Sequence, residues 1–261
     1  MQQVKNLIFH PQIAQNKPET IHHQNNYCPF CDVENLTNIL AHEQDRIWLV
    51  NKYRTLQDTW QTIIIETQQH DGDISNYSHK QNRQIISFAV NKWQEVIATQ
   101  KYRSVLLYKN FGPLSGGSLS HPHMQIVGLQ NIAVQDNVSR ENVLGLTVGQ
   151  NDFVTVNIST QPLIGFVEIN VLLSNDSKLF ELADIIQVVV RYLLNDYLQG
   201  RCNSYNLFFY KFGSQIAVKI VPRFVTSPYF VGYLIPQIND HQQMQTIRHE
   251  LRQLLPADLL E

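Results

Sequence analysis

The chain has 261 residues, 43% hydrophobic and only 16% charged, with 20 Lys and Arg against 22 Asp and Glu and a formal net charge of −2. That length supports one large domain or two modest ones, burying roughly 70–75% of the surface of the unfolded chain. A near-neutral balance excludes a general nucleic-acid binder, which needs a basic face to displace counterions, and no apolar run approaches the roughly 18 residues of a membrane span.

Residues 1–26 read as polar loop, without the apolar region and small-residue cleavage site of a signal peptide. "YCPFC" (27–31) follows. Its Cys28 and Cys31, with Cys202, are the three cysteines of the chain. A small odd number without a secretion signal fits a reducing cytoplasm, where C-x-x-C reads as a metal or redox pair. The spacing lets two thiolates face one ion, which is half of a tetrahedral zinc site. The alternative is two small core residues. A thioredoxin-like redox pair is disfavoured, since no helix pattern starts at the motif to stabilise a thiolate.

"RIWLVN" (46–51) and "QTIIIET" (61–67) are β-branched runs and predict strands. "HDGDISNYS" (70–78) predicts a loop. Residues 81–100 carry apolar positions at Ile85, Ile86, Ala89, Val90, Trp93, Val96 and Ile97, a helical spacing. "SVLLYKNF" (104–111) and "MQIVGL" (124–129) predict strands, separated by the glycine-rich "GPLSGGS". The order then recurs. Strands are expected at 153–158 and 165–173, a helix at 178–198, strands at 205–212 and 215–221, and an amphipathic helix at 241–255.

"LLYKNFG" (106–112) and "FFYKFGS" (208–214) each fall on the strand after a helix, so the chain reads as two copies of a strand–strand–helix–strand–strand unit joined through about 130–150. Copy one inserts "GPLSGGSLSHPH" between its last two strands, where copy two has "GSQ". Copy one then keeps the chemistry, and copy two is scaffold. Its Arg140, Glu141 and Glu168 are expected at the surface or an interface rather than as ligands.

The inserted passage carries the densest signal. Glycines let an anion approach backbone N–H groups closely. Asn110 and Ser118 can donate to phosphate or sugar oxygens. H-P-H follows at 121–123, and then Gln125. Strand alternation puts His121 and His123 on one face. The pair reads as two metal ligands, as one ligand and one nucleophile, or as two packed core histidines, and spacing alone leaves these open. Of the ten histidines, His22, His23 and His249 lie on polar surfaces, whereas His70 and His121 fall at strand ends, where sites collect.

The ordered set "CPFC", "NKY", "IIIETQQHD" and "NFGPLSGGSLSHPHMQ", over about residues 7–128, resembles the galactose-1-phosphate uridylyltransferase family within the histidine triad superfamily. The second half adds "FVGY" (230–233). The resemblance implies an α+β fold of two fused histidine-triad-like units, an antiparallel sheet with helices packed on it. Residues 1–135 would hold the zinc and active-site motifs, and 136–261 a degenerate half. It implies a structural zinc on Cys28, Cys31, His70 and His121. His123 becomes the nucleophile that attacks the α-phosphate of a nucleoside diphosphate sugar, with Gln125 on the phosphoryl oxygens. Asn110, Gly116 and Ser118 would line the phosphate path and Asn51 the nucleoside side.

Three departures stand out. "AVKIVPR" lacks the H-x-H of a second metal site, Met124 stands where well-known members have glycine, and the chain is short. The expected activity is nucleotidyl transfer in carbohydrate metabolism, in the cytoplasm, by a homodimer. Its partners would be a nucleotide sugar or nucleotide and a sugar phosphate or phosphate, without nucleic acid or membrane. The alternatives are a nucleotide phosphorylase or hydrolase, a non-catalytic nucleotide-binding protein, and a zinc hydrolase using both histidines.

Overall fold

The computed structural model describes residues 6–23 and 27–260; the expected N-terminal loop lies partly outside these residues. Within it, α1 (Pro11–Ala14) is a single turn. The first run of strands is β1 (Ile39–Glu43), β2 (Arg46–Val50) and β3 (Thr59–Ile65), followed by α2 (His79–Ala98), β4 (Ser104–Phe111) and β5 (His123–Leu129). The second run repeats it: β6 (Gly145–Gln150), β7 (Val154–Ser159), β8 (Gly165–Phe166), β9 (Ile169–Leu173), α3 (Leu179–Asn195), β10 (Tyr205–Phe212) and β11 (Gln215–Pro222). α4 (Pro228–Tyr233), β12 (Gln237–Ile238) and α5 (His241–Arg252) complete the chain.

Ten strands form one antiparallel sheet in the order β1-β2-β3-β5-β4-β10-β11-β9-β7-β6. Read inward from either edge, the order is the same, so the two runs meet as equivalents at the β4–β10 seam. This is a two-domain α+β fold with a continuous sheet. The repeat unit is larger than expected, with three strands of the large sheet before each helix. β1 escapes the sequence pattern because it is an edge strand, largely exposed on both faces. β6 lies in the segment expected to join the copies.

The expected strand at 165–173 is also two pieces. Gly165 (φ 137°) and Phe166 (φ 57°) break the extended backbone there. β8 instead pairs in parallel with β12. Glu168, expected at the surface or an interface, is fully buried within the chain. It turns inward because it accepts from the Leu163 and Ile164 amides, at 2.9 and 2.8 Å, and pairs with Lys219 at 2.7 Å. Arg140 and Glu141 are exposed, as expected.

α2 and α3 cover one face of the sheet. Ser78 caps α2 by accepting from the Gln81 amide, which satisfies a donor that helix geometry leaves orphaned. The apolar stripe of α2, including Ile85, Ala89 and Trp93, joins that of α3 in one core with Met124, Ile126 and Val218 of the sheet. Helix meets helix through Asn82 Nδ2 donating to the Ala183 carbonyl at 2.7 Å and through the Arg83–Asp184 ion pair. Each fully buried large side chain contributes about 1.5–3 kcal/mol. The opposite face carries short 3-10 turns at Val33–Asn35 and Arg140–Val143, and alternation along β3 and β5 sends Ile63, Ile65, His123 and Gln125 toward it. Among the described residues, no helix is long and apolar enough to cross a membrane.

On that opposite face, the second run is closed. Lys219 and Glu168 are both fully buried, Lys219 also donates to the Asn142 carbonyl, and Asn157 links the Val143 carbonyl to Asn170. Breaking one partner of such a pair strands a buried charge. Lys219→Met should therefore lower unfolding free energy by about 3–5 kcal/mol, and adding Glu168→Gln should recover part of the loss. Denaturant titration of the single and double variants checks this.

Candidate active site and metal centre

Four side chains converge around the Cys28-to-Cys31 turn. Ligating atoms of Cys28, Cys31, His70 and His121 lie within 4.8 Å of one another. The Cys28-to-Cys31 turn is closed by the Cys31 amide donating to the Cys28 carbonyl. His70 comes from the loop beyond β3, and His121 from the passage leading into β5. His121 Nε2 donates to the Thr67 carbonyl at 2.8 Å, and its Nδ1 lies 3.7 Å from Cys28 Sγ and 3.4 Å from Cys31 Sγ. His70 Nδ1 lies 3.2 Å from Cys31 Sγ. A histidine ligand commonly gives its second N–H to a carbonyl in this way, which fixes ring and tautomer.

Two sulfurs and two imidazole nitrogens at this separation suit a tetrahedral Zn²⁺ with all positions filled by protein. Burial, then the hydrogen bond with Cys28 and its charge, push the Cys31 thiol up to about 11; a divalent cation beside it reverses that preference.

His123 begins β5 two residues on, so the strand starts one residue earlier than expected and His121 precedes it. Both rings pack edge-on against Phe30, at 5.8 and 5.3 Å, and so share a side as alternation requires. Their nitrogens are used in opposite senses. His123 Nδ1 donates to the His121 carbonyl at 2.8 Å, which leaves Nε2 with a lone pair. Burial first, and the Lys109 charge after it, lower the His123 pKa to about 4 against the opposing effect of the His121 carbonyl. The imidazole is neutral at physiological pH.

That ring lines a cavity of about 390 Å³, and so do Asn51, Asn110, Gly116, Ser118 and Gln125. The structure thus brings together all six residues expected at the substrate, from β2's end, β4, β5 and the glycine-rich turn. Asn51 is buried, with Oδ1 accepting from the Tyr53 amide at 2.8 Å. Gln125 Oε1 accepts from the Tyr108 hydroxyl at 3.0 Å, leaving its NH₂ group. Burial pushes Tyr108 up to about 12, so it remains a donor. Gly116 has φ 84° with open space where a Cβ would sit, so the left-handed backbone is what requires glycine there.

Sequence reasoning missed Lys17, Phe30 and Tyr53 in the same cavity. Lys17 is partly buried, no carboxylate pairs with it among the described residues, and burial lowers its pKa. An uncompensated cation beside an imidazole and a glycine-rich turn is a site for anionic oxygen. No sequence signal marks Lys17, which lies in a polar loop. The cavity's other wall is apolar, with Phe30, Leu49 and Ile63.

Behind this face, Glu66 and Lys109 form a buried ion pair at 2.5 Å, with Asp73 at 3.9 Å from the same Nζ. The Tyr77 hydroxyl donates to Glu66 and that of Tyr205 to Asp73. The Glu66 amide also donates to the Pro122 carbonyl at 3.2 Å, tying the end of β3 to the H-P-H passage.

The architecture is that of known nucleotide-handling proteins. A uridylyltransferase structure aligns with TM-score 0.69 at 15% identity, over 89% of this chain and 93% of that one. An ADP-glucose phosphorylase from Arabidopsis thaliana, solved with bound ADP-glucose, aligns with TM-score 0.69 at 12% identity, over 93% and 94%. At those identities the likeness is one of fold. A DUF4931 family protein from Bacillus cereus aligns with TM-score 0.75 at 44% identity, over 83% of this chain and 98% of that one. Residues 9–132 match the family described as "Domain of unknown function (DUF4931) N-terminal domain" and residues 135–255 its C-terminal domain. The chain belongs to the DUF4931 family. No curated protein matches it.

If the four-residue cluster holds zinc, purified protein should carry about one ion per chain. Cys31→Ser and His121→Ala should each lose metal and thermal stability. Elemental analysis finding none, with both thiols freely titratable, would overturn the assignment.

Proposed function

We propose that this protein is a nucleotidyltransferase that works through a covalent nucleotidyl-histidine on His123. The observation that carries the reading is the fixed tautomer of His123. Its Nδ1 is committed to the His121 carbonyl, and the ring lines a cavity with Lys17, Gln125 and the glycine-rich turn. A neutral imidazole with a free Nε2 is a competent nucleophile at cytoplasmic pH.

In the first half-reaction the Nε2 lone pair attacks the α-phosphorus of a nucleoside diphosphate sugar. A P–N bond forms, the bond from the α-phosphorus to the bridging oxygen breaks, and the sugar phosphate departs with the electron pair. In the second, an oxygen of an acceptor phosphate attacks the same phosphorus, and the P–N electron pair returns to Nε2. Gln125 and Lys17 hold phosphoryl oxygens, Asn110, Gly116 and Ser118 line their path, and Asn51 faces the nucleoside. The apolar wall of Phe30, Leu49 and Ile63 suits a base. Cys28, Cys31, His70 and His121 would hold a zinc that fixes the passage carrying His123, with no open position needed.

The fold shared with a uridylyltransferase and an ADP-glucose phosphorylase supports this class of chemistry. Transfer between sugar phosphates, as the motif resemblance suggests, is the leading form; phosphorolysis uses the same intermediate with inorganic phosphate as acceptor. The activity belongs to carbohydrate metabolism in the cytoplasm.

Intact-protein mass spectrometry after incubation with UDP-glucose or ADP-glucose should find a uridylyl or adenylyl adduct. His123→Ala should abolish it and lower turnover by about 10⁴-fold, while the fold and metal content persist. Loss of zinc from His123→Ala would make both histidines ligands and overturn the reading.

The same proposal includes a homodimer. Supporting it, the segment after β11 exposes Val225, Tyr229, Val231, Tyr233, Leu234 and Ile235, each more than half accessible. Exposed apolar side chains gathered along one short segment suit an interface. Light scattering at micromolar concentration should give twice the mass of one chain; a monomer would count against it.

A further inference from the structure

An amide side chain in a binding cavity presents either its oxygen or its NH₂ group, and the partner on its hidden side decides which. For Asn110 that partner comes from across the seam. β4 and β10 are neighbours, and Asn110 lies directly opposite Asn206. Asn206 is buried, at 1% exposure. Its Oδ1 accepts from Arg223 Nη1 at 3.0 Å. Its Nδ2 donates to Asn110 Oδ1 at 2.7 Å and to the Ser115 carbonyl at 3.0 Å.

Neither end of Asn206 can be reversed. A guanidinium only donates and a backbone carbonyl only accepts, so Arg223 and Ser115 independently fix the amide the same way round. Asn110 Oδ1 is thereby engaged. Its Nδ2, which has no protein partner among the described residues, is the end left for the cavity that Asn110 lines.

We propose that Arg223 and Asn206 are positioning residues that hold Asn110 as a hydrogen-bond donor toward the cavity, and so select ligands presenting anionic phosphoryl oxygen there. The inference rests on the reading of the cavity as a nucleoside phosphate site. It gives the second half of the chain a part in the site of the first. The bond from Asn206 to the Ser115 carbonyl also anchors the glycine-rich turn, which Ser204 Oγ supports by accepting from the Leu114 amide at 3.1 Å.

Asn206→Asp tests the relay with little change of side-chain shape; it also gives up the bond to the Ser115 carbonyl, so Arg223→Met, which leaves that bond in place, is measured beside it. The aspartate still accepts from Arg223 but can only accept from Asn110, so Asn110 must rotate and turn its oxygen to the cavity. UDP, ADP, uridine and adenosine are titrated calorimetrically into full-length protein carrying His123→Ala, which removes the chemistry. The parent should bind at least one diphosphate more tightly than its nucleoside. Asn206→Asp should weaken that diphosphate about 10–100-fold, the range for a hydrogen bond to a charged group. Nucleoside affinity should stay within about twofold, which a general collapse of the site would not allow. Arg223→Met should cause a smaller loss with the same phosphate dependence, and it serves as the test if Asn206→Asp fails to fold. Unchanged phosphate preference in the folded variants would overturn the relay and leave the nucleotide reading standing. Failure of the parent to bind either diphosphate would overturn that reading, and the relay with it.

Discussion

The hydrogen bond from His123 Nδ1 to the carbonyl two residues upstream is a constraint within one short passage, and the rest of the site depends on it. An imidazole cannot offer both nitrogens once one is committed. His121 commits Nε2 to Thr67 and keeps Nδ1 toward the thiols; His123 commits Nδ1 and keeps Nε2 toward the cavity. Pro122 between them has no N–H and a restricted φ, and its carbonyl is taken by Glu66. Two residues of one type, two apart, are thus given different chemistry by which backbone oxygen each ring meets. The buried Glu66–Lys109 pair holds the end of β3 against this passage, so the arrangement is supported from the helix-covered side as well.

The near-repetition of the chain makes the difference between its halves informative. Each half supplies three strands, a helix and two strands around the large sheet, and each turns the face opposite that helix outward. In the first half that face is a cavity bordered by a glycine-rich insertion. In the second, a two-residue turn, Gly213 and Ser214, replaces the insertion, and the Lys219–Glu168 ion pair and the Asn170-to-Asn157 hydrogen bond occupy the corresponding face. A buried ion pair with its hydrogen bonds completed is a stable way to fill such a space, though not a cheaper one than an apolar plug. Its presence keeps the face polar without leaving it open.

Much of this was readable from residue order. The β-branched runs gave the central strands, because strands buried on both faces or at the sheet centre carry unbroken apolar signals. The two helices emerged from their 3.6-residue stripes within two or three residues of their ends. β1 did not emerge, since it is exposed along most of its length, and β6 did not because its buried side is carried by Val148 between glycines rather than by a β-branched run. Glu168 was misjudged because a lone acidic residue gives no hint of a lysine 51 positions later. The ten candidate site residues lie in short motifs whose spacing is local, and the structure gathers them into one cluster of four and one cavity of six. Lys17, Arg223 and Asn206 stayed hidden for the opposite reason. Their relation to the site is created by a loop crossing and by strand pairing between residues nearly a hundred positions apart.

Gly112 shows what that pairing means for the chain as a physical object. It adopts φ 82°, and a Cβ there would fall 2.2 Å from the Asn203 carbonyl oxygen, so the turn that opens the insertion is pressed against the backbone that opens β10. The two halves therefore share a boundary with no room for a linker to flex or a cut to heal. Excised alone, the first half would present β4 as a raw edge with unpaired amides and carbonyls, and its glycine-rich turn would lose the surface that shapes it. The pairing makes two equivalent runs one body, in which amide protons of β4 and β10 should exchange together rather than half by half.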